Sequence, residues 1–313
     1  MSITPIGLGT WAIGGGDWIF GWGPQKDSES IETIRRAIDN GVNWIDTAAA
    51  YGLGRSESMV ARALRAVPRR ERPYIFTECS LVWDELGNVS PSLEARSIRQ
   101  EAESSLRRLE IDCFDLYQLG WPVEPNTSSR ADTRSLEEAW STMAALQREG
   151  KTRFIGVSNC DVGQLERLRE IAPVTSLQVP YSLLRRGVED GTLPFCAGHT
   201  IGVIADSSMQ WGLLSGKMTR ERIDALPHND WRRRSPYFRE PMLTRALAVA
   251  ERLRTIGSRQ RCTPGEVAIA WTLHNRNITA TSVGVRHAHQ VDEVVGAASV
   301  HLSVQERHDL ESA

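Results

Sequence analysis

Short apolar runs alternate with amphipathic stretches from one end of the chain to the other. The runs at 5–8, 43–46, 74–77, 114–119, 153–157, 176–179, 201–205 and 279–283 read as strands. Several are almost continuously apolar, as expected where both faces of a sheet are covered. Between them lie stripes with helical spacing. Ile31, Ile34, Ala37 and Ile38 form one, stopped by Asn40-Gly41. Ile98, Ala102, Leu106 and Leu109 form another, and Leu136, Ala139, Trp140, Met143 and Leu146 a third. Thr263-Pro264-Gly265-Glu266 combines a capping box with proline at the first helical position. Eight strands interleaved with helices predict an α/β fold, a (β/α)8 TIM barrel occupying 1–313 as one domain. An open doubly wound sheet would carry G-x-G-x-x-G after its first strand, and GLGTWAIGGG (7–16) lacks that spacing.

Composition narrows the class without naming a function. The 313 residues are 41% hydrophobic and 24% charged, with a net charge of −2 and no basic run. Nucleic acid and membrane surfaces are therefore not expected partners, and a small molecule is. Five cysteines (79, 113, 160, 196 and 262) are scattered, with neither C-x-x-C nor zinc-type spacing. Free thiols in a reducing cytoplasm, and no metal, are expected. The start, MSITPIGLGTW, shows no basic and apolar leader pattern. Oligomeric state is not legible.

Two stretches exceed ordinary loop length, 13–26 after the first strand and 218–242 after the seventh. Both follow a strand's C-terminal end, where barrel active sites are built. Trp18, Trp22, Trp83, Trp121, Trp211 and Trp231 also lie just past strand ends. They predict an aromatic-walled pocket for an organic molecule, or else rings that merely cap the barrel mouth. His228 lies in the second loop, where a surface position is the plainer reading.

GVNWIDTAAAYGLGRSE (41–57) resembles the aldo-keto reductase signature. Ordered matches continue through SLRRLEIDCFDLYQLGWP (105–122), GKTRFIGVSN (150–159), SLQVPYSLLRR (176–186), GLLSGK (212–217) and SVGVRHAHQVDEVVGAA (282–298). The resemblance implies four catalytic side chains: a proton-donating tyrosine, a lysine that lowers its pKa, an aspartate that holds the lysine, and a histidine that orients the carbonyl. The matching positions are Tyr51, Glu78, Asp46 and Gly120, so the lysine and histidine are replaced. NADP(H) is the implied cofactor. Ser158, Asn159 and Gln178 match residues that hold the nicotinamide amide. Gly284, Arg286, Gln290 and Glu293 match the segment near the adenosine phosphate, and Ser207 belongs to the motif after the seventh strand. Asp206 stands where the family places the ring on which nicotinamide stacks, and Val294 replaces a common asparagine.

A carboxylate in place of a cation should raise the pKa of Tyr51, set Asp46 and Glu78 against each other, and leave one of them protonated near neutrality. Glycine at 120 should leave a hole about the size of a ring. With Asp206 as a third acidic group, the pattern leads to the expectation of a barrel repurposed for non-redox acid/base chemistry: elimination, isomerisation or rearrangement. Glu78 bonded to an amide or arginine, and Asp206 facing solvent, are the plainer readings. The alternative function is an atypical NADPH-dependent carbonyl or enone reductase.

Overall fold

A computed structural model describes residues 1–120 and 133–312. Eight parallel strands close in the order β1 (Ile6–Gly9), β10 (Ala280–Gly284), β9 (Gly202–Asp206), β8 (Ser176–Pro180), β7 (Thr152–Ser158), β6 (Phe114–Gly120), β3 (Tyr74–Cys79), β2 (Trp44–Asp46) and back to β1. A two-stranded antiparallel hairpin, β4 (Leu81–Trp83) and β5 (Val89–Pro91), follows β3 and was not foreseen. It lies outside the barrel, and Asp84 closes its turn by accepting from the Leu86 and Asn88 amides.

Helices ring the barrel, and the predicted stripes are what they bury. Ile34 and Ala37 of α1 (Asp27–Asp39) face inward, as do Ile98, Ala102, Leu106 and Leu109 of α3 (Ala95–Leu109). Leu136, Ala139, Trp140, Met143 and Leu146 of α4 (Thr133–Arg148) are likewise buried. Helix α9 (Pro264–His274) begins with the predicted reciprocal cap between Thr263 and Glu266. The second long loop is partly ordered into α7 (Arg220–Asp224) and short 3-10 turns at Trp231–Arg234 and Pro236–Phe238. Helix α8 (Met242–Gln260) starts at its end, and α10 (Ala288–Gly296) and α11 (Val304–Glu311) close the chain. No helix among the described residues is long and apolar enough to cross a membrane.

Strand periodicity places the site. Trp44, Phe76, Leu116, Ile204 and Ala280 pack together inside the barrel. Two residues further along β2, β3, β9 and β10, the same inner face carries Asp46, Glu78, Asp206 and Ser282. A dry apolar layer therefore floors a polar one at the C-terminal mouth.

One buried ion pair braces the wall beside that mouth. Glu57 of α2 (Arg55–Leu64) is fully buried, accepting from Arg108 Nε at 2.7 Å and Thr77 Oγ1 at 2.7 Å. Arg108→Ala would strand that carboxylate and should cost about 3–5 kcal/mol in urea unfolding. A cost under 1 kcal/mol would mean the pair braces nothing.

Candidate active site

The signature segment positions Tyr51 through a close approach of two loops. Gly14 and Gly52 touch: a Cβ on Gly52, where φ is 62°, would lie 2.0 Å from the Gly14 carbonyl oxygen. Arg55 clamps the contact by donating to the carbonyls of Ile13 (2.6 Å) and Gln25 (2.7 Å) and to Asp27. The Tyr51 ring then stacks on Trp11 (centroids 6.2 Å, 19° between planes), with Trp18 tilted against it.

A cleft of about 320 Å³ opens at the mouth, at the small end of the range for ligand sites. Asp46, Tyr51, Glu78 and Asp206 all line it. Asp46 accepts from Ser282 Oγ at 2.7 Å and Gln178 Nε2 at 3.1 Å. Burial raises its pKa to about 6 against those two bonds, and Asp206 pushes the same way. Glu78 rises further, to about 8, through burial first and then the Asp46 charge, with the Ser158 hydroxyl pulling it back. Asp206 is raised by burial and lowered by the Ser207 hydroxyl and the Arg185 charge. The Tyr51 phenol is pushed well above its usual value, first by burial and then by Asp46, Glu78 and Asp206. Glu78 thus holds a proton at neutral pH, and Tyr51 stays a neutral phenol.

Gly120 does not line the cleft, and it leaves no hole. A Cβ there would sit 2.5 Å from Glu78 Oε1, 2.9 Å from Ser80 Oγ and 3.0 Å from the Cys79 carbonyl oxygen. The expected vacancy is filled by the glutamate, whose carboxylate leans into the space a side chain at 120 would need.

The residues matched to a dinucleotide also gather at this cleft. Ser158, Asn159, Gln178, Ser207, Gly284, Arg286, Gln290 and Glu293 all line it. Gln178 is held at both ends, donating to Asp46 and accepting from Gln118 Nε2 at 2.8 Å. Asn159 takes a left-handed φ of 62° and donates to Ser158 Oγ at 3.2 Å. Trp22 and Trp211 line the wall, and neither buried indole N–H has an acceptor among the described residues. Side-chain amides and hydroxyls, orphaned indole donors and the cations Lys217, Arg222 and Arg286 along one cleft suit a nicotinamide dinucleotide. The acidic Asp206 supplies no stacking surface, so that one contact is missing.

The other tryptophans divide. Trp231 stands behind the wall, stacked on Trp11 at 4.9 Å and edge-on to Trp22 and Trp211. Trp18 backs Tyr51 from outside the cleft, and Trp83 sits on the hairpin under Arg108. Trp121 falls outside the described residues. His228 is exposed. Trp11, directly after β1, lines the cleft and was overlooked, although its place past a strand end was the signal used for the others. Arg232, 4.5 Å above the Trp22 ring, was missed too. Among the described residues no cluster could hold a metal, and the cysteines are free.

The Aldo/keto reductase family model matches residues 5–313. The chain belongs to this family. Aldo-keto reductase YhdN of Bacillus subtilis (strain 168) is 33% identical over 311 residues, covering 99% of this chain and 89% of the relative. The NADH-specific methylglyoxal reductase of Escherichia coli (strain K12) is 31% identical, covering 97% and 92%. Among solved structures, glycerol dehydrogenase from Gluconobacter oxydans superposes with a TM-score of 0.85 at 32% identity, covering 100% of this chain and 91% of that one. These relatives overturn the expectation of non-redox, lyase- or isomerase-type chemistry. Proteins matched over nearly their whole length are named as reductases and a dehydrogenase, so three changed positions do not outweigh the rest of the chain.

Proposed function

We propose that this chain is an NAD(P)H-dependent oxidoreductase of small carbonyl compounds and the corresponding alcohols, working with an altered set of proton-handling residues. The observation that carries the reading is the convergence on one cleft of Tyr51 and Asp46 with Ser158, Asn159 and Gln178. The names of the relatives, a methylglyoxal reductase and a glycerol dehydrogenase among them, support the reaction class. When bound, the dinucleotide would supply or accept the hydride. The protein's own residues manage the proton at the substrate oxygen. Tyr51, neutral throughout the working range, donates a hydrogen bond to that oxygen. Glu78, with its pKa near 8, takes the place of the missing lysine and holds the exchangeable proton. Asp46 keeps Gln178 in place, and the apolar layer beneath excludes water.

Nicotinamide fluorescence during titration with NADH and NADPH tests the reading, followed by turnover with methylglyoxal or, in reverse, glycerol. Sub-millimolar binding and substrate-dependent oxidation are expected. Affinity no better than millimolar for both dinucleotides would remove the oxidoreductase assignment.

The pH profile follows from the sign of the Glu78 shift. Reduction consumes the proton, so its rate should be flat below about pH 8 and fall about tenfold per unit above it. Alcohol oxidation needs the ionised carboxylate and should rise toward the same pH. A reduction rate unchanged from pH 7 to 10 would exclude Glu78 as the proton's holder.

A further inference from the structure

A second cavity, of about 470 Å³, shares none of its lining residues with the cleft. It is built from the segment after β8, the end of α9 and α11. Gln178 of β8 faces the cleft, and Tyr181, an odd number of residues further on, faces this cavity instead. Nothing in the proposed reaction uses it, yet most of the side chains around it are charged.

Part of that lining is a frame whose polar groups already have partners. The Tyr181 ring stacks on Trp271 with centroids 5.2 Å apart, and the Arg186 guanidinium lies 5.6 Å from the Trp271 ring centroid. Glu189 accepts from the Tyr181 hydroxyl at 2.7 Å and from Arg186 through Nε (3.0 Å) and Nη2 (2.9 Å). Asn275 Nδ2 donates to the Tyr181 oxygen at 3.1 Å. Glu311 accepts from the Trp271 indole at 3.0 Å and lies 3.8 Å from Arg186. Both carboxylates and one arginine are thereby engaged in holding the cavity's shape.

The remainder is cationic and unengaged. Arg276 and Arg307 line the same cavity, and neither side chain has a hydrogen bond or ion pair among the described residues. Arg307 Nε is buried from solvent and has no acceptor. A buried charged donor left unpaired is unfavourable, and an acceptor entering the cavity would relieve it. The two charges also bear on one neighbour: after burial, Arg307 and Arg276 hold the His274 pKa below its usual value, with Glu311 opposing them. Guanidiniums present fixed forks of N–H groups that match the oxygens of phosphate and carboxylate. We propose that this cavity binds a compact dianion, a phosphate group or a small dicarboxylate, through Arg276 and Arg307. It does so independently of the cleft and of whatever reaction the cleft performs.

Isothermal titration calorimetry with inorganic phosphate and with malonate, at constant ionic strength in chloride buffer, tests the proposal without substrate or dinucleotide. At least one of the two should bind saturably with sub-millimolar affinity, and the tighter of them identifies the chemistry the site prefers. Arg276→Gln and Arg307→Gln should each weaken that binding by about tenfold or more, the worth of a charge-assisted bond. Neither should shift the melting temperature appreciably, because neither guanidinium is bonded to the protein. Arg222→Gln, which alters the cleft instead, should leave the anion affinity within about twofold of native. Heats that stay linear through the millimolar range for both anions overturn the proposal. Affinity unchanged in both glutamine variants does the same, as does its loss in Arg222→Gln, which would place the anion in the cleft. If one of the glutamine variants does not fold, the other decides.

Discussion

Glu78→Gln is expected to lower carbonyl reduction by about 10²–10⁴-fold, the usual worth of a positioned proton donor. The amide keeps the shape of the side chain and its place beside Gly120, but it cannot hold or surrender a proton. Two further readouts separate a proton-handling role from a structural one. The fall in rate above pH 8 should disappear from whatever activity remains. Stability should also change its pH dependence. The folded-state pKa of Glu78 is raised from 4.5 to about 8, so the folded protein holds a proton that the unfolded chain has lost. That contribution is fully present below about pH 4.5 and is lost as pH rises through 8. The native melting temperature should decline across this window, and the Gln variant should decline less. Turnover within threefold of native, with the same alkaline limb, would assign Glu78 to structure alone.

Gly120→His, which looks like the restoration of a lost catalytic group, is expected to disable the protein. The first carbon of any side chain at 120 meets Glu78 Oε1 at 2.5 Å. Overpacking of this kind typically costs about 1–3 kcal/mol, and the ring would also drive the carboxylate off its position at the cleft. The dependence on Glu78 can be isolated with Gly120→Ala in a double-mutant cycle with Glu78→Ala. Urea unfolding should show a coupling of about 0.5–3 kcal/mol, the alanine at 120 being better tolerated once the carboxylate is gone. Relief should be incomplete, because Ser80 Oγ and the Cys79 carbonyl remain within 3.0 Å. Strict additivity would show that the two positions are independent.

The barrel was legible in the sequence because its signal is repeated. Eight apolar runs and their helices all reported the same architecture, and each predicted strand lies within a residue or two of its observed bounds. The hairpin at 81–91 was not, since its three-residue strands are too short for alternation to register. That hairpin carries Trp83 away from the cleft, so proximity to a strand end misled for that residue. Trp11 belonged by the same criterion and was passed over. The identity of the departures at 78 and 120 could be read, but not their relation. Sequence says which group is absent from a position, whereas only packing says what moved into its place. The inference of a new reaction class failed for a related reason: it weighed three positions, whereas the rest of the chain matches reductases and a dehydrogenase over nearly its whole length.

Trp11, Trp22, Trp211 and Trp231 form a connected group with ring centroids 4.9–5.8 Å apart. At such separations excitation absorbed by one indole migrates readily among the others, and three of the four rings border the cleft. A reduced nicotinamide absorbs where indoles emit. The wall that shapes the site is therefore also an optical antenna, and quenching of the protein's native emission should report occupancy without any label.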